Sequence, residues 1–422
     1  MNHSLYFHIP FCTHRCAYCD FNTYAGQENS LPEYVQALCK EIEFTGLNSP
    51  EKIALHTIFF GGGTPSLLSP DQFASILGVT HRHFEFVENV EITIEANPGT
   101  VSIDKLLQYR AIGINRISLG VQSANGEELR MLERAHNFFD VIEAVSSARR
   151  AGFDNLNLDL IYGLPEQSLQ TWQTTVRRIL DLHPEHISAY ALTLEHGTPF
   201  GSWSSRGLLP SPDPDLAADM YEWASEAFET AGFVQYEISN WSRQNRRCQH
   251  NLQYWRGLPY LGLGAGAHGY ANGYRYSNVL RIKTYIERCK GDQADVGENR
   301  ELDIKQRSSN TKLLTPENQI RRIEFPLTRA TVNYHQQAIK DDMSEFMITG
   351  LRLTGEGIYL RNFYQRFGRE LMDVYGNEIE ALISLGLLER TNRTSEVIET
   401  SEILRLTPHG RLLGNQVFLR FV

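Results

Sequence analysis

The sequence predicts an α/β fold that carries a small α+β domain at its carboxyl end. Six short runs rich in β-branched and aromatic residues recur along the first half, spaced by about 25–50 residues. A longer stretch with helical signals follows the runs, and this alternation predicts a parallel sheet with right-handed crossovers. Six such units are enough for a barrel or most of one. The length of 422 residues, of which 41% are hydrophobic, allows two or three folded domains.

Each element rests on its own local pattern. Strands are predicted at Leu5–Ile9, Leu55–Phe60, Glu91–Glu95, Arg116–Val121, Asn155–Ile161 and His186–Leu192. Helices are predicted at Pro32–Phe44, Pro70–Gly78, Ile103–Ala111, Asn125–Leu132, Phe138–Ala151 and Ser168–Leu182. Several of these helices start at Pro, Ser or Asp, and closing glycines are expected at Gly46, Gly113 and Gly152.

Composition divides the rest of the chain. Residues 1–290 are assigned to the core and its extension, and residues 291–341 to a polar linker or insertion with few apolar positions. Residues 342–422 are predicted as a winged-helix-like domain, with three helices and a hairpin at Asp342–Thr354, Leu360–Phe367, Glu378–Leu385, Leu387–Arg390 and Ile403–Leu406. Because basic and aromatic residues do not cluster there, a lid or packing domain is favoured over DNA binding.

Charge and hydropathy exclude some classes of partner. Forty Lys and Arg against fifty Asp and Glu give a formal charge of −10, which disfavours a basic nucleic-acid binder and a polybasic membrane-surface protein. No window approaches the roughly 18 apolar residues of a membrane span, and the start lacks a signal-peptide pattern. We therefore expect a cytoplasmic protein without stable membrane insertion.

Three of the six cysteines lie within eight positions, at Cys12, Cys16 and Cys19, directly after the first predicted strand. Three close thiolates in a reducing compartment suit zinc or an iron–sulfur cluster. Zinc usually takes a fourth protein ligand, and only His14 in the loop and Cys39 in a predicted helix are near in sequence. A four-iron cluster on three cysteines instead leaves one iron open for a small molecule.

The run from Tyr6 to Phe21, with its Cys-x3-Cys-x2-Cys spacing, resembles the signature of the radical S-adenosylmethionine (SAM) superfamily. The segment His-Ile-Pro-Phe-Cys within it is typical of the oxygen-independent coproporphyrinogen III oxidase group. The resemblance implies a partial (β/α)6 TIM-type barrel, a 4Fe-4S cluster on the three cysteines and SAM bound at the open iron. It also implies an electron donor for the cluster.

Further residues resemble the SAM contacts of that group. The Gly61–Pro65 run follows an apolar strand, where glycines allow close approach to a ligand and N–H donation, although a tight βα turn alone would also explain them. A carboxylate at a strand end, as at Glu95, often binds ribose hydroxyls. The resemblance assigns SAM binding to these positions: Tyr6, Gly62, Gly63, Thr64, Glu95, Gln122, Arg134 and Asp159.

Two features resemble the HemW-type heme chaperones more than the oxidases. The oxidases carry Cys-x-Cys at the end of the motif and an extension before it, whereas here Cys19 is followed by Asp20-Phe21 and the motif begins at once. The segment Cys248–Trp255 resembles the His-Asn-x-x-Tyr-Trp motif of the chaperones. His250 is therefore the candidate axial heme ligand, with Cys248 as the second candidate, although a lone histidine beside aromatics is more often a packed or hydrogen-bonded residue.

The resemblance leads to one functional hypothesis and one alternative. The chain is expected to bind heme and pass it to unidentified acceptor proteins, with no residue assigned to catalysis and SAM cleavage left open. The alternative is an oxygen-independent coproporphyrinogen III oxidase or another radical SAM enzyme that modifies a tetrapyrrole. No nucleic acid is expected as a partner, and a homodimer is left open. The glycines of Gly262–His268 do not fit a dinucleotide fingerprint and are assigned to close packing.

Overall fold

The computed structural model describes residues 2–290, 323–394 and 400–422. They form two compact units, each built from separate stretches of the chain. Unit 1 takes the described residues of 1–159, 193–211 and 259–336, and unit 2 takes those of 160–192, 212–258 and 337–422. The two units are therefore interleaved along the chain.

All six predicted strands are present, and eleven further strands accompany them in the described residues. They are β1 His3–Ile9, β2 Phe11–Cys12, β3 Tyr24–Ala25, β4 Ala54–Gly62, β5 Glu85–Ala96, β6 Arg116–Gln122, β7 Leu156–Tyr162, β8 His186–Ala191, β9 Val234–Glu237, β10 Asn240–Ser242, β11 Tyr260–Leu263, β12 His268–Ala271, β13 Tyr274–Asn278, β14 Thr331–Gln336, β15 Ile358–Tyr359, β16 Leu388–Thr394 and β17 Thr400–Leu406.

The predicted helices are also present, and local capping explains several boundaries. Ser69 and Gln72 form a capping box at the start of α2, and Asn137 and Asp140 form one at the start of α5. The helices are α1 Leu31–Asn48, α2 Pro70–His83, α3 Ile103–Ala111, α4 Gly126–Met131, α5 Phe138–Arg150, α6 Leu169–Leu180, α7 Pro199–Ser205, α8 Pro214–Thr230, α9 Gln249–Trp255, α10 Ile282–Cys289, α11 Ile339–Gly350, α12 Leu360–Phe367, α13 Leu371–Ser384, α14 Pro408–Leu412 and α15 Gly414–Phe418.

Unit 1 is organised around a sheet whose strands follow the order β14-β13-β12-β11-β1-β4-β5-β6, followed by the part of β7 up to Asp159. Strand β1 pairs in parallel with β4 and β11, β4 with β5, and β5 with β6. This is the parallel arrangement predicted from the alternation of strands and helices. Because parallel strands end at the same edge of a sheet, the segments that follow β1, β4, β5 and β6 come together there.

A buried carboxylate in α1 joins distant parts of unit 1. Glu41 is 2% exposed and accepts hydrogen bonds from the Gly264 amide at 2.8 Å, Asn278 Nδ2 at 2.8 Å, the Tyr285 hydroxyl at 2.6 Å and Thr328 Oγ1 at 2.8 Å. Burial raises the pKa of this carboxyl, while its four donors act in the opposite direction. Glu41 therefore ties α1 to the end of β11, to β13, to α10 and to the segment before β14.

Unit 2 contains β8, β10 and β9, with β10 antiparallel to both of its neighbours. Helix α6 packs with α8, where the Trp172 indole donates to the Met220 carbonyl at 2.9 Å. The carboxyl-terminal part has the predicted helices α11 to α13 and the predicted hairpin of β16 and β17, to which β15 adds a third antiparallel strand. Their apolar faces share one core with members such as Met347, Leu351 and Phe363.

Two details differ from the sequence analysis. Residues 291–322 of the predicted linker 291–341 lie outside the described residues. In the rest of the linker, Thr331–Gln336 forms β14, which pairs antiparallel with β13. Its mostly polar residues suit an edge strand that packs only part of its surface, so an apolar pattern is missing. Gly46 does not close α1. Gly46 lies inside the helix. A Cβ on Gly46 would lie 2.5 Å from the Cβ of His83, so glycine is needed there for close packing.

One finding concerns membrane insertion. Within residues 2–290, 323–394 and 400–422, no helix combines the length and the hydropathy needed to cross a bilayer.

Replacing Glu41 tests the importance of the buried carboxylate. Glu41→Ala leaves four buried donors without their acceptor, so we expect the free energy of unfolding to fall by at least about 3 kcal/mol. Urea unfolding followed by circular dichroism measures this. Glu43→Ala, a partly exposed position of the same helix, is the control and should change stability little. Equal stability of the two variants would contradict the assigned role.

Candidate cluster and cofactor site

The three clustered cysteines lie in a loop that begins at the end of β1. Cys12 is the last residue of β2, which pairs with β3 and so closes the loop that contains Cys16 and Cys19. Within the loop, the Cys19 amide donates to the Cys16 carbonyl at 3.0 Å. Cys12 is 9% exposed, whereas Cys16 and Cys19 are half-buried. The predicted ligand set is thus on one short, internally braced loop.

The glycine run at the end of β4 packs directly against this loop. The Gly63 amide donates to the Ile9 carbonyl at 2.9 Å, and the Thr64 amide donates to the Phe11 carbonyl at 2.7 Å. A Cβ on Gly63 would lie 2.5 Å from the Phe11 oxygen and 3.0 Å from Cys12 Sγ, so only glycine fits. Gly62 has a φ of +112° and donates its amide to Glu95 Oε2 at 3.0 Å.

These hydrogen bonds correct one expectation about the glycine run. The glycine pattern predicts N–H groups that point to a ligand, but those of Gly62, Gly63 and Thr64 are bonded to protein oxygens. The run therefore serves close packing against the cysteine loop, and its amides are not free for a ligand in this arrangement. The assignment of Gly62, Gly63 and Thr64 to SAM remains a prediction.

Two side chains direct hydrogen bonds at the sulfur atoms. Thr64 Oγ1 lies 3.5 Å from Cys12 Sγ, and Arg134 Nη1 lies 3.7 Å from Cys16 Sγ. Burial raises the pKa of the Cys12 thiol, and the Thr64 hydrogen bond opposes that shift. Burial likewise raises the pKa of the Cys19 thiol. Metal binding must therefore displace these protons, since thiolates are the ligands.

Asn97 connects these two donors, and the sequence analysis did not identify it. Its Nδ2 donates to Thr64 Oγ1 at 3.0 Å, and its Oδ1 accepts from Arg134 Nη2. The residue stands two positions after Glu95, in Glu-Ala-Asn-Pro, just past the end of β5. The position of this amide just after a strand is the one feature of the sequence that could have indicated a role. Its partners could not be identified, because they lie far away in sequence.

A second group of polar residues lies on β5, β6 and β7. Glu95 is in register with Ser118. Ser118 Oγ donates to Asp159 Oδ2 at 2.8 Å, and Asn157 Nδ2 donates to Asp159 Oδ1 at 2.7 Å. Burial, together with the charge of Asp159, raises the pKa of the Glu95 carboxyl to about 7. Ser118 and Asn157 are supporting residues that sequence reasoning missed, because single polar residues within strands carry no distinctive pattern.

Tyr6 and Gln122 complete the set of predicted residues in unit 1. The Tyr6 hydroxyl is 2.9 Å from His8 Nδ1, and His8 Nε2 is 3.0 Å from the Asn22 carbonyl oxygen. Gln122 ends β6 with a φ of +68°, a conformation that a residue with a side chain rarely adopts. A Cβ on Gly120 would come within 3.1 Å of Gln122 Nε2, so this strand end is tightly packed.

His250, the candidate heme ligand, belongs to unit 2. Its ring is 1% exposed, and its Nε2 lies 2.8 Å from the Tyr254 hydroxyl one helical turn later. The two rings meet edge to face at 5.0 Å. Cys248 is buried and takes the N-cap position of α9. The structure therefore gives His250 the packed, hydrogen-bonded environment that the sequence analysis considered as the alternative to ligation.

Comparison with known proteins decides the family. Residues 6–179 match the radical SAM superfamily, and residues 339–413 match the HemN C-terminal domain. The protein named heme chaperone HemW of Bacillus subtilis is 35% identical over 423 residues, which cover 99% of each chain. The chain belongs to the HemW family. A protein of the same name from Lactococcus lactis is 32% identical and covers 99% of this chain and 97% of its own.

The solved structure of coproporphyrinogen III oxidase (HemN) from Escherichia coli aligns with a TM-score of 0.75. The alignment covers 100% of this chain and 90% of that one at 23% identity, so it establishes the fold and no more. Together with the superfamily match, it confirms the predicted α/β class and the radical SAM assignment.

Membership of the radical SAM superfamily implies a 4Fe-4S cluster and SAM, and the residues present fit them. Three thiols share one loop, and Thr64 and Arg134 supply donors for sulfur. Arg134 Nε is buried and has no hydrogen-bond partner among the residues that the structure describes, which leaves a cationic donor for a bound anion. Among the described residues, no three His, Cys, Asp or Glu side chains converge on one ion. A cluster gives each thiolate its own iron, so convergence on one point is not required.

Cysteine replacement tests the ligand set. Cys16→Ser should lose most of the roughly four irons that a reconstituted chain binds, because a thiolate ligand is removed. Cys39→Ser is the matched control, since Cys39 lies in α1 of the same unit, and it should retain them. Iron content and the absorbance of the cluster give the answer. Equal iron loss in both variants, or in neither, would contradict the assignment.

The raised pKa of Glu95 predicts a pH-dependent stability. Its folded value of about 7 exceeds the unfolded value near 4.3, so the wild type loses stability relative to Glu95→Gln as the pH rises through this interval. The difference between their thermal midpoints should grow from about pH 5 to 7 and level off above about 8. Asp159→Asn removes the negative neighbour and should shift the change to lower pH. A pH-independent difference would show that Glu95 titrates normally.

Proposed function

We propose that the chain is a heme chaperone, which binds heme and delivers it to acceptor proteins. The observation that carries this proposal is the similarity to proteins named heme chaperone HemW over 99% of both chains, with no large segment of either left unmatched. The cluster motif and the C-terminal domain lie within that alignment. The acceptor proteins and the electron donor are partners that the proposal requires.

The proposed cofactor site uses the residues that meet at the ends of β1, β4, β5 and β6. Cys12, Cys16 and Cys19 would hold the cluster, which when bound offers one open iron to SAM and supplies electrons. Arg134 offers a cation to the carboxylate of SAM, and Glu95 offers an acceptor to hydroxyl groups. Tyr6, Gly62, Gly63, Thr64, Gln122 and Asp159 complete the proposed SAM contacts.

Heme is proposed to bind through His250, with Cys248 as the second candidate ligand. His250 Nε2 lies 2.8 Å from the Tyr254 hydroxyl, and this hydrogen bond would have to break before Nε2 could bind the heme iron. Because His250 is buried, the ring or its surroundings must also move to admit the macrocycle. The proposed location of the protein is the cytoplasm. This reducing compartment agrees with the six cysteines, none of which forms a disulfide within the described residues.

Hemin titration followed by absorbance tests the proposal. The reconstituted wild type should bind hemin stoichiometrically, and His250→Ala should change the Soret band and weaken binding at least about tenfold, since an axial ligand is lost. Cys248→Ala shows whether the thiol contributes. His409→Ala, an exposed histidine of the same unit, is the control and should bind hemin as the wild type does.

A second variant separates ligation from folding. Tyr254→Phe keeps the aromatic ring but removes the hydroxyl that occupies Nε2, so it should bind hemin at least as tightly as the wild type. An unchanged spectrum and affinity in His250→Ala would exclude His250 as the ligand. A wild type that binds no hemin would contradict the proposed function itself.

A further inference from the structure

Cys12 and Cys16 are joined by a continuous chain of side-chain contacts. Cys12 Sγ is 3.5 Å from Thr64 Oγ1, which is 3.0 Å from Asn97 Nδ2. Asn97 Oδ1 then contacts Arg134 Nη2, and Arg134 Nη1 is 3.7 Å from Cys16 Sγ. Asn97 is the central member, and its side-chain amide hydrogen-bonds to Thr64 and Arg134.

The chemistry of these groups fixes the direction of every hydrogen bond. A guanidinium only donates, so the amide of Asn97 must turn its oxygen to Arg134 and its NH2 to Thr64. The Thr64 hydroxyl therefore accepts from Asn97. A Cys12 thiolate, the form that binds a cluster, can only accept, so the one proton of that hydroxyl is directed at Cys12 Sγ. Both ends of the chain thus donate to sulfur.

The surroundings hold the chain in this arrangement. The Asn97 carbonyl accepts from the Thr100 amide at 2.9 Å and from Thr100 Oγ1 at 2.7 Å, which fixes the backbone that carries the amide. Arg134 Nη2 also donates to the Gly120 carbonyl at 2.8 Å. Thr64 is only 2% exposed, so water has little access to replace its partner. The donors are therefore pre-positioned by the fold.

We propose that Asn97 is a positioning residue that keeps one hydrogen-bond donor on Cys12 and one on Cys16 and thereby raises the reduction potential of the cluster. The proposal rests on the proposed function, because it requires the three cysteines to hold that cluster. Hydrogen bonds to the sulfur ligands stabilise the more negative, reduced state, and they are among the factors that set the potentials of iron–sulfur clusters.

Two substitutions break the chain in different ways. Asn97→Asp replaces the donating NH2 by an acceptor, so the Thr64 proton turns to the new carboxylate and Cys12 loses its donor. Thr64→Val removes the hydroxyl without adding charge and keeps a similar shape. Thr64→Ser retains the hydroxyl. Asn115→Asp is the control for charge, since Asn115 bonds to Ile92 and Val90 at the opposite end of β6.

The test is a redox titration of the reconstituted variants, with the reduced cluster followed by electron paramagnetic resonance. We expect Asn97→Asp and Thr64→Val both to shift the potential to more negative values, whereas Thr64→Ser and Asn115→Asp stay near the wild type. Iron content equal to that of the wild type shows that a variant has folded. If Asn97→Asp loses its iron, the potential of Thr64→Val decides whether the donor on Cys12 affects the cluster.

Three results would overturn the inference. Potentials that are unchanged in both Asn97→Asp and Thr64→Val would show that the donors do not affect the cluster. A shift in Asn97→Asp with none in Thr64→Val would assign the effect to charge alone. A wild-type chain that assembles no cluster would contradict the proposed function, and the inference with it, so this failure is distinguishable from the other two.

Discussion

The close approach of the Gly61–Thr64 run to the cysteine loop is the constraint on which the rest of the site depends. Two backbone hydrogen bonds, to the carbonyls of Ile9 and Phe11, hold the end of β4 against the segment that carries Cys12. They form only because residue 63 has no side chain. This contact places the Thr64 hydroxyl beside Cys12 and, through Asn97, links it to Arg134 and Cys16.

Much of this arrangement could be predicted from local patterns. Each of the six predicted strands contains a short run rich in β-branched and aromatic residues, although only the second half of β5 was predicted. The cysteine spacing marks the loop after β1 without any knowledge of the fold. Asn97 could not be identified, because its partners Thr64 and Arg134 are 33 and 37 positions away and its role exists only after the strands have paired. Strand β14 was missed since a polar edge strand lacks an apolar alternation.

The hydrogen-bond donors of the glycine run show where pattern and structure differ. A glycine-rich turn after a strand is a general anion-binding pattern, and the sequence cannot indicate whether its amides are already bonded. Here Gly62, Gly63 and Thr64 donate to Glu95, Ile9 and Phe11. The fold uses these amides to build the site, and the proposed SAM contacts therefore depend on side chains such as Arg134 and Glu95.

Under the proposed function, this radical SAM chain handles heme as cargo and does not make a heme precursor. The most direct measurement incubates the reconstituted chain with coproporphyrinogen III, SAM and a reductant under anaerobic conditions and separates the tetrapyrroles by chromatography. We expect coproporphyrinogen III to be recovered unchanged from a preparation whose cluster is intact. Accumulation of its decarboxylated product would contradict the proposed function and identify the chain as an enzyme of heme synthesis.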